Sequence, residues 1–290
     1  GGGSLLQDRT STRSLVYYVT IIRLAERMGK KVMFYANGIG PVDRPANRRR
    51  VCRAAMGAQC LTLRDQNSAQ ELREMGVERQ DVVVTADPVF HLAAAEPERS
   101  RELLASTGVE PHSPFVAVSV RDWPNADGFY QDLARLCDHL HQTYGLEVLF
   151  LLMQPSRDRE ATARVRGQMK CPSYQLDAPC TPRELMGVLG QAKLCLAMRL
   201  HTLIFAARMA VPSLGLVYDP KVDSYLRELD LPAAGHVEHF DLEEAIRRAD
   251  EMMADYDQVL ARLREKSYQL AQSARENERL LLEMLERSKG

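Results

Sequence analysis

Short apolar runs alternate with longer stretches that carry apolar residues at helical spacing. In the first part of the chain, the strand-like runs lie at 31–36, 60–65 and 81–87, and the helical stretches lie near 14–29, 45–57 and 67–75. Alternating helices and strands are typical of α/β units that share a parallel sheet. The pattern therefore predicts an α/β fold for this part of the chain.

The second part of the chain repeats this alternation. Its predicted strands are 114–120, 146–153, 173–177, 193–198 and 213–218, and its predicted helices lie near 126–144, 156–168, 182–191 and from about 200 onward. The helix near 182 begins with Thr181, Pro182 and Glu184, which have the spacing of a capping box. A second α/β domain is therefore expected.

The segment between these two parts is polar and rich in proline and glutamate. It runs from 91 to 114 and interrupts the alternation, so we place a domain boundary there. The predicted segments are an N-terminal domain (1–95), a C-terminal domain (96–240) and a helical tail (241–290). The chain opens on "GGGS", and such a glycine cluster normally follows a strand, so we expect one or more N-terminal strands to be missing.

The tail after 241 is a charged amphipathic stretch. Its apolar residues alternate at spacings of four and three: Leu242, Ile246, Ala249, Met253, Tyr256, Leu260 and Leu263. Such a stretch packs back on the body of the protein, forms a coil between two copies, or lies on a membrane surface. The first interpretation is favoured, and a homo-oligomer and a peripheral membrane contact stay open.

The composition of the chain argues against several classes of function. The 290 residues are 45% hydrophobic and 27% charged, with a formal net charge of -1. The mixed charges give no indication of a nucleic-acid partner, and no apolar run approaches the length of a spanning helix. The six cysteines lack CxxC pairing and metal-ligand spacing, so we expect a reducing compartment and no metal.

Charged side chains follow several strands of the second domain. Arg121 follows 114–120, Arg199 and His201 follow 193–198, and Asp219 and Lys221 follow 213–218. Ligands of open parallel sheets bind at the carboxyl ends of the strands. Arginine forks, Lys221 and the backbone N–H groups of a helix opening near Leu200 suit a small, multiply charged anion.

Each of these residues also has a structural interpretation. Arg199 suits an ion pair at a helix start, and Arg121 and Lys221 taken singly suit ordinary surface pairs. His201 suits a half-buried histidine, although the arginine beside it favours proton transfer. Their convergence on one edge favours the binding interpretation.

An ordered set of segments resembles the polysaccharide pyruvyl transferase family, of the CsaB type. The segments are "GGGSLLQDRTSTRSLVYY", "YANGIGPV", "NRRR", "TLRDQNSAQELREMGV", "VTADPVF", "MRLHTLIFAA" and "GLVYDPKV". The resemblance extends to about residue 230. It implies two Rossmann-like domains that face each other across a cleft, as in the GT-B glycosyltransferases.

The resemblance also implies the reaction. Phosphoenolpyruvate would be the donor, bound by Arg121, Arg199, Lys221 and the N–H of Leu200. His201 would be the general acid, which protonates the methylene carbon or, alternatively, the departing phosphate. The product would be a pyruvate ketal on a cell-wall sugar such as N-acetylmannosamine, with a glycan or lipid-linked saccharide as acceptor. No cofactor or metal is demanded, and the expected location is the cytoplasm, at the inner face of the membrane for a lipid-linked acceptor.

The acceptor side and the general base are less clearly marked. Asp65, Asp87 and Asp219 end strands and are candidate bases, although Asp65 also suits a helix cap and Asp87 a turn. The residues proposed for acceptor binding are the opening "GGGS", Asp8, Arg13, Asn37 and Gly38. The glycines in this set also suit plain turns.

Two other functions stay open at this point. The same fold hosts glycosyltransferases that use a nucleotide sugar, because fold does not fix chemistry. The absence of an obvious acidic residue for a ribose after the strands of the second domain argues against this reading. A non-catalytic scaffold that uses the tail as a partner surface is the other alternative, and the Arg199 and His201 pair argues against it.

Overall fold

The computed structural model describes residues 5–9, 11–124 and 126–287. The chain divides into two units. The first contains the described residues of 1–91 and 268–290, and the second consists of 92–267. The boundary near residue 91 lies close to the expected one, but the helical tail is not a separate segment, because it is shared between the two units.

The first unit has a three-stranded parallel sheet in the order β1-β2-β3. Its strands are β1 (Met33–Asn37), β2 (Cys60–Leu63) and β3 (Val82–Val84), and its helices are α1 (Thr12–Arg27), α2 (Pro45–Gly57) and α3 (Gln66–Glu74). Ser11 and Asp65 cap α1 and α3 through their side chains. Their positions explain why these helices begin directly after polar residues.

The second unit has a six-stranded sheet, and every strand pair in it is parallel. The strands are β4 (Phe115–Ser119), β5 (Glu147–Leu151), β6 (Ser173–Leu176), β7 (Leu194–Ala197), β8 (Ser213–Val217) and β9 (Ala233–His236). All residues of β4, β7 and β8 are buried. Strands covered on both faces need no alternation of apolar and polar residues, which matches their continuous apolar sequence.

One helix precedes the first strand of this sheet, others connect its strands, and two follow its last strand. They are α4 (Pro97–Ala105), α5 (Asp127–Tyr144), α6 (Pro155–Arg166), α7 (Pro182–Leu189), α8 (Leu200–Arg208), α9 (Pro220–Glu228), α10 (Leu242–Ala254) and α11 (Tyr256–Glu286). The strand order is β6-β5-β4-β7-β8-β9, so the direction of winding reverses between β4 and β7. In open α/β sheets this reversal point is where a ligand crevice forms.

Three elements depart from the expectations. The polar segment after residue 91 contains α4, whose Ser100 and Leu103 are buried in contact with α7. The pattern of apolar residues predicted neither α9 nor β9 as a separate element. Few apolar positions suffice to bury each of these short elements against neighbours that are distant in sequence, so local periodicity is weak.

The tail packs on the body of the chain. Helix α10 packs against α5 and β9. Leu263 of α11 is buried in the stretch assigned to the second unit, whereas Leu270 and Ala274 are buried in the stretch assigned to the first. The six cysteines are free. Within the described ranges, no helix is both long and apolar enough to span a membrane.

Candidate functional site

Strands β4 and β7 bring the two predicted arginines to neighbouring positions. Ser119 pairs with Ala197 at the ends of these strands, and Arg121 and Arg199 each lie two residues further on. The backbone N–H of Met198 donates to the carbonyl of Ser119 at 2.8 Å, which continues the pairing beyond the strands. Both arginines therefore lie just beyond the carboxyl ends of β4 and β7, the two strands between which the winding of the sheet reverses.

Arg121 is held by aromatic rings. Its guanidinium carbon lies 4.9 Å from the ring centre of Tyr218 and 5.8 Å from that of Trp123. Among the described residues no carboxylate pairs with it, and its buried Nε atom donates to no acceptor. A buried donor left without an acceptor costs stability unless a ligand or water supplies one.

Tyr130 fixes the loop that carries Arg121. The hydroxyl of this fully buried tyrosine accepts from the N–H of Trp123 at 2.9 Å and donates to the carbonyl of Arg121 at 3.2 Å. Burial raises the pKa of Tyr130, so the hydroxyl stays protonated and keeps donating. The position of Arg121 is thus set by α5, on which Tyr130 lies.

Arg199 makes an ion pair at a helix start, as its structural interpretation expected, but with a partner, Asp158, that the sequence analysis did not identify. Its Nε and Nη2 both donate to Oδ1 of Asp158, with an Nε distance of 3.2 Å. Asp158 is fully buried, and its Oδ2 accepts from the N–H of Gln154 at 2.8 Å. In the part of the chain described, Nη1 of Arg199 donates to no protein atom. The sequence feature that could have indicated this partner is an aspartate in the first turn of the helix that follows β5.

Helix α8 begins at the same edge. Arg199 is its N-cap residue and contributes no side-chain cap, so the N–H groups of the first turn, from Leu200 onward, point toward the edge. Thr202 is fully buried and donates to the hydroxyl of Ser119 at 3.1 Å, which fixes the helix start against β4. His201 lies between Arg199 and Thr202 in the sequence, and it is exposed.

The edge continues to β8, where Asp219 and Lys221 lie at the start of α9. Oδ1 of Asp219 accepts from the N–H of Lys221 at 2.8 Å, so Asp219 caps this helix. Lys221 is half-buried in the first turn. A pocket of about 250 Å³ is lined by Asp219, Tyr218 and His236.

The two other candidate bases have structural partners in the first unit. Asp65 accepts from the N–H of Ser68 at 2.7 Å, and Asp87 accepts from the N–H of Val89 at 3.1 Å. Arg64 donates at 3.2 Å to the remaining oxygen of each carboxylate. Both oxygens of each aspartate are therefore engaged, which makes a capping and pairing role fit better than a basic one.

Asp8, predicted for acceptor binding, instead organises the segment before α2. Its oxygens accept from the N–H groups of Asp43 and Arg44 and from Nδ2 of Asn47 at 2.8 to 3.1 Å. Burial alone would raise the pKa of Asp8, but these hydrogen bonds outweigh it and lower the pKa. Asp8 is buried, and its role here is structural.

The other acceptor candidates are dispersed. Asn37 and Gly38 are buried at the end of β1, whereas Arg13 is exposed in the first turn of α1. The opening "GGGS" lies outside the described residues. Within the described ranges, no group of three or more His, Cys, Asp or Glu side chains could hold a metal ion.

Known proteins resemble the chain in fold and in family. A profile of the polysaccharide pyruvyl transferases matches residues 1–220. No curated protein sequence matches the chain. The UDP-GlcNAc 2-epimerase from Neisseria meningitidis, solved bound to UDP-GlcNAc, is 12% identical with a TM-score of 0.61, covering 93% of this chain and 74% of that chain.

Two further solved structures are similar at the same level. The Anabaena protein HepE in complex with UDP is 11% identical with a TM-score of 0.60, covering 93% of this chain and 76% of that one. A glycosyltransferase from Rickettsia africae is 13% identical with a TM-score of 0.55, covering 96% and 83%. At such identities the likeness concerns the fold alone.

Two parallel α/β sheets with long C-terminal helices, together with these neighbours, define an α/β protein of the GT-B-like class. The family match covers most of the chain and includes Arg121, Arg199 and His201. The chain belongs to the polysaccharide pyruvyl transferase family and is a transferase.

Proposed function

We propose that the second unit binds phosphoenolpyruvate at the carboxyl edge of its six-stranded sheet and transfers the pyruvyl group to a sugar as a cyclic ketal. The observation that carries the proposal is Arg121, whose buried Nε has no acceptor among the described residues although the guanidinium lies against two aromatic rings. Phosphoenolpyruvate supplies a carboxylate and a phosphate, and either anion is an acceptor for such a fork.

The remaining donors of this edge complement the second anionic group. Nη1 of Arg199, the ammonium of Lys221 and the N–H of Leu200 at the start of α8 are the groups proposed to hold it. The positive end of the dipole of α8 favours the same charge. Several separate cations suit a ligand with two anionic groups better than a single arginine does.

His201 is proposed as the general acid. It would protonate the methylene carbon of phosphoenolpyruvate, so that C2 becomes cationic and one sugar hydroxyl adds to it and releases its proton to a base. Inorganic phosphate then leaves with its bonding electrons, and a second hydroxyl of the same sugar attacks C2 and loses its proton. The products are the ketal and inorganic phosphate, and a positioned acid contributes roughly 10²- to 10⁴-fold.

Asp219 is the preferred candidate among the three predicted bases. Asp65 and Asp87 each have both oxygens engaged by hydrogen bonds. Asp219 uses Oδ1 as a helix cap, and within the described residues its Oδ2 accepts no hydrogen bond. This oxygen is therefore able to receive a proton without breaking a contact that holds the fold.

The acceptor is proposed to be a sugar of a cell-wall polysaccharide or of its lipid-linked precursor, such as N-acetylmannosamine. Phosphoenolpyruvate would be a co-substrate, and the proposed reaction uses no cofactor. For a lipid-linked acceptor, the reaction would take place at the inner face of the cell membrane.

Calorimetry with phosphoenolpyruvate and with a series of UDP-sugars tests the donor. We expect binding of phosphoenolpyruvate, weakened about 10- to 100-fold in Arg121→Ala because a charged hydrogen bond is lost. Arg135→Ala is the matched control, since Arg135 is an exposed arginine of the same unit. Trp123 contacts the Arg121 guanidinium, so its fluorescence provides a second binding signal.

Turnover is tested by phosphate release in the presence of candidate sugars. His201→Ala should abolish release and keep donor binding, and Asp219→Asn should slow release while α9 stays capped.

A glycosyltransferase that uses a nucleotide sugar is the second candidate. The specific observation behind it is the similarity to structures solved with UDP or UDP-GlcNAc. Binding of a UDP-sugar without binding of phosphoenolpyruvate would replace the proposed reaction by this one and remove the acid role of His201.

A further inference from the structure

Helix α1 is apolar on both of its faces. Leu15 and Val19 are buried in the core of the first unit, and Ile22 packs against that core. On the opposite side Tyr17, Ile21, Leu24 and Met28 are exposed by 47 to 63% and follow one another at spacings of four, three and four. A helix that is apolar all round needs cover on both sides.

The neighbouring helix α2 has a similar outward side. Helices α1 and α2 pack against each other. Arg49, Arg53 and Met56 of α2 are exposed at spacings of four and three, opposite the buried Val51 and Ala54. The two outward stripes therefore lie on adjoining parts of one surface of the first unit.

This surface is strongly basic. The two helices contain seven arginines and one acidic residue, in a chain whose net charge is -1. The acidic residue is Glu26, which is nearly buried and pairs with Arg23 at 2.7 Å. Arg13, Arg27, Arg49 and Arg53 are exposed and have no carboxylate partner within the described residues, and Lys30 and Lys31 follow α1.

We infer that this surface, the basic apolar face, binds an anionic lipid bilayer. It consists of the exposed residues Arg13, Tyr17, Ile21, Leu24, Arg27 and Met28 of the α1 segment and Arg49, Arg53 and Met56 of α2. Apolar side chains flanked by arginines are the features of a helix that lies in the plane of a membrane interface. The charge attracts anionic headgroups, and the apolar stripe enters the boundary with the acyl chains.

A bilayer explains both features of the face. A nucleic acid would account for the arginines and leave the apolar stripe of α1 uncovered. A second copy of the chain would cover the stripe and bring two basic faces together. The inference goes beyond the proposed function, because it does not depend on the donor, and it would place the enzyme where a lipid-linked acceptor is held.

The test is sedimentation of the full chain with vesicles. One set contains phosphatidylglycerol and phosphatidylcholine in about equal parts, and the other contains phosphatidylcholine alone. We expect binding to the anionic vesicles, weakened at least about tenfold by Ile21→Ser with Leu24→Ser and about tenfold by Arg49→Gln with Arg53→Gln. High salt should weaken the interaction of the unmodified chain.

Tyr268→Ser is the matched control, because Tyr268 is as exposed as Tyr17 but lies on α11. It should bind vesicles like the unmodified chain. All variants should keep their melting temperature, and they should keep any affinity for phosphoenolpyruvate because they lie outside the proposed donor site. Vesicle binding is measured without phosphoenolpyruvate, so failure of the donor proposal would not affect this result.

Three outcomes would overturn the inference. The chain does not bind anionic vesicles, or the variants bind as tightly as the unmodified chain. In the third outcome, light scattering detects a dimer that Ile21→Ser with Leu24→Ser dissociates in the absence of lipid, which would assign the face to a second copy.

Discussion

At the scale of single residues, the ion pair of Asp158 and Arg199 links the fold to the proposed site. Asp158 is fully buried and binds both a backbone N–H and the guanidinium, so one carboxylate fixes the start of α6 and the side chain of Arg199. Breaking such a pair leaves a charge poorly compensated. Arg199 is therefore an anion-binding residue by proposal and a structural residue by observation, with different nitrogen atoms in the two roles.

Asp158→Asn tests whether this pair positions Arg199. We expect the free energy of unfolding to fall by about 3 kcal/mol, because a buried charged partner is lost. We also expect the affinity for phosphoenolpyruvate to fall about tenfold, since Nη1 loses its fixed direction. Denaturation and calorimetry measure the two effects. A destabilised protein with unchanged donor affinity would restrict the pair to a structural role.

The carboxylate of Asp8 gives a stability prediction that depends on pH. Its pKa in the folded protein is below 3.8 because hydrogen bonds from Asp43, Asn47 and Arg44 outweigh the effect of burial. A carboxylate whose pKa is lowered on folding stabilises the fold fully at pH values above its ordinary pKa. This contribution is lost as the pH falls through the pKa of the folded state. We expect Asp8→Asn to cost about 1 to 3 kcal/mol near neutral pH.

The difference between Asp8→Asn and the unmodified chain should shrink as the pH falls below about 4. Urea denaturation at several pH values measures it. A difference that stays constant down to about pH 2 would contradict the role of the ionised carboxylate.

At the scale of elements, the sequence predicted the strands that are buried on both faces and most of the helices, but a capped start was not sufficient, because α9 is capped by Asp219 and had no separate prediction. The capping box at Thr181 and Glu184 is present at the start of α7. The sequence could not separate a capping aspartate from a catalytic one, because Asp65, Asp87 and Asp219 all follow strands. That distinction depends on which N–H groups and guanidinium groups approach each carboxylate in the fold.

Helix α4 packs closely against α7 at Gly187. A methyl group placed on Gly187 would lie 2.1 Å from the hydroxyl oxygen of Ser100 and 3.1 Å from its Cβ. The close approach of the two helices therefore requires the absence of a side chain at Gly187. This requirement is a property of the packed pair and leaves no trace in the local pattern of either helix.

Gly187→Ala should destabilise the second unit by about 1 to 3 kcal/mol, because overpacking forces α4 and α7 apart. In a Ser100→Ala background the closest atom is removed, and we expect most of this cost to disappear. Thermal or urea denaturation of the four proteins in this double-mutant cycle measures the coupling. Equal costs of Gly187→Ala in both backgrounds would contradict the proposed contact.

At the scale of the whole molecule, α11 joins regions that lie far apart in the sequence. Its later part belongs to the first unit, where the fully buried Asn277 accepts from the hydroxyl of Thr85 at 2.9 Å and donates to the carbonyl of Ala86 at 3.3 Å. The amphipathic pattern of the tail predicted burial on the body. It did not identify the partner, because the periodicity of a helix contains no information about which surface it meets.

Asn277→Ala tests the contribution of the tail to the first unit. We expect a loss of about 2 kcal/mol, because the variant removes the hydrogen bonds of Asn277 with the Thr85 hydroxyl, which keeps only its bond to the carbonyl of Leu63, and with the buried carbonyl of Ala86. The single tryptophan, Trp123, lies in the second unit, so its fluorescence follows that unit, whereas circular dichroism follows both. The urea midpoint from circular dichroism should fall, while the fluorescence midpoint should stay unchanged.

Asp158→Asn is the matched control for the second unit and should lower the fluorescence midpoint. Equal shifts of both signals in Asn277→Ala would mean that the two units unfold in a single step, and the tail would then stabilise the whole chain. No shift in either signal would mean that water replaces the hydrogen bonds of Asn277 with Thr85 and Ala86 without loss. The residues proposed to bind the donor all lie in the second unit. In the expected pattern they therefore stay folded when the first unit is destabilised.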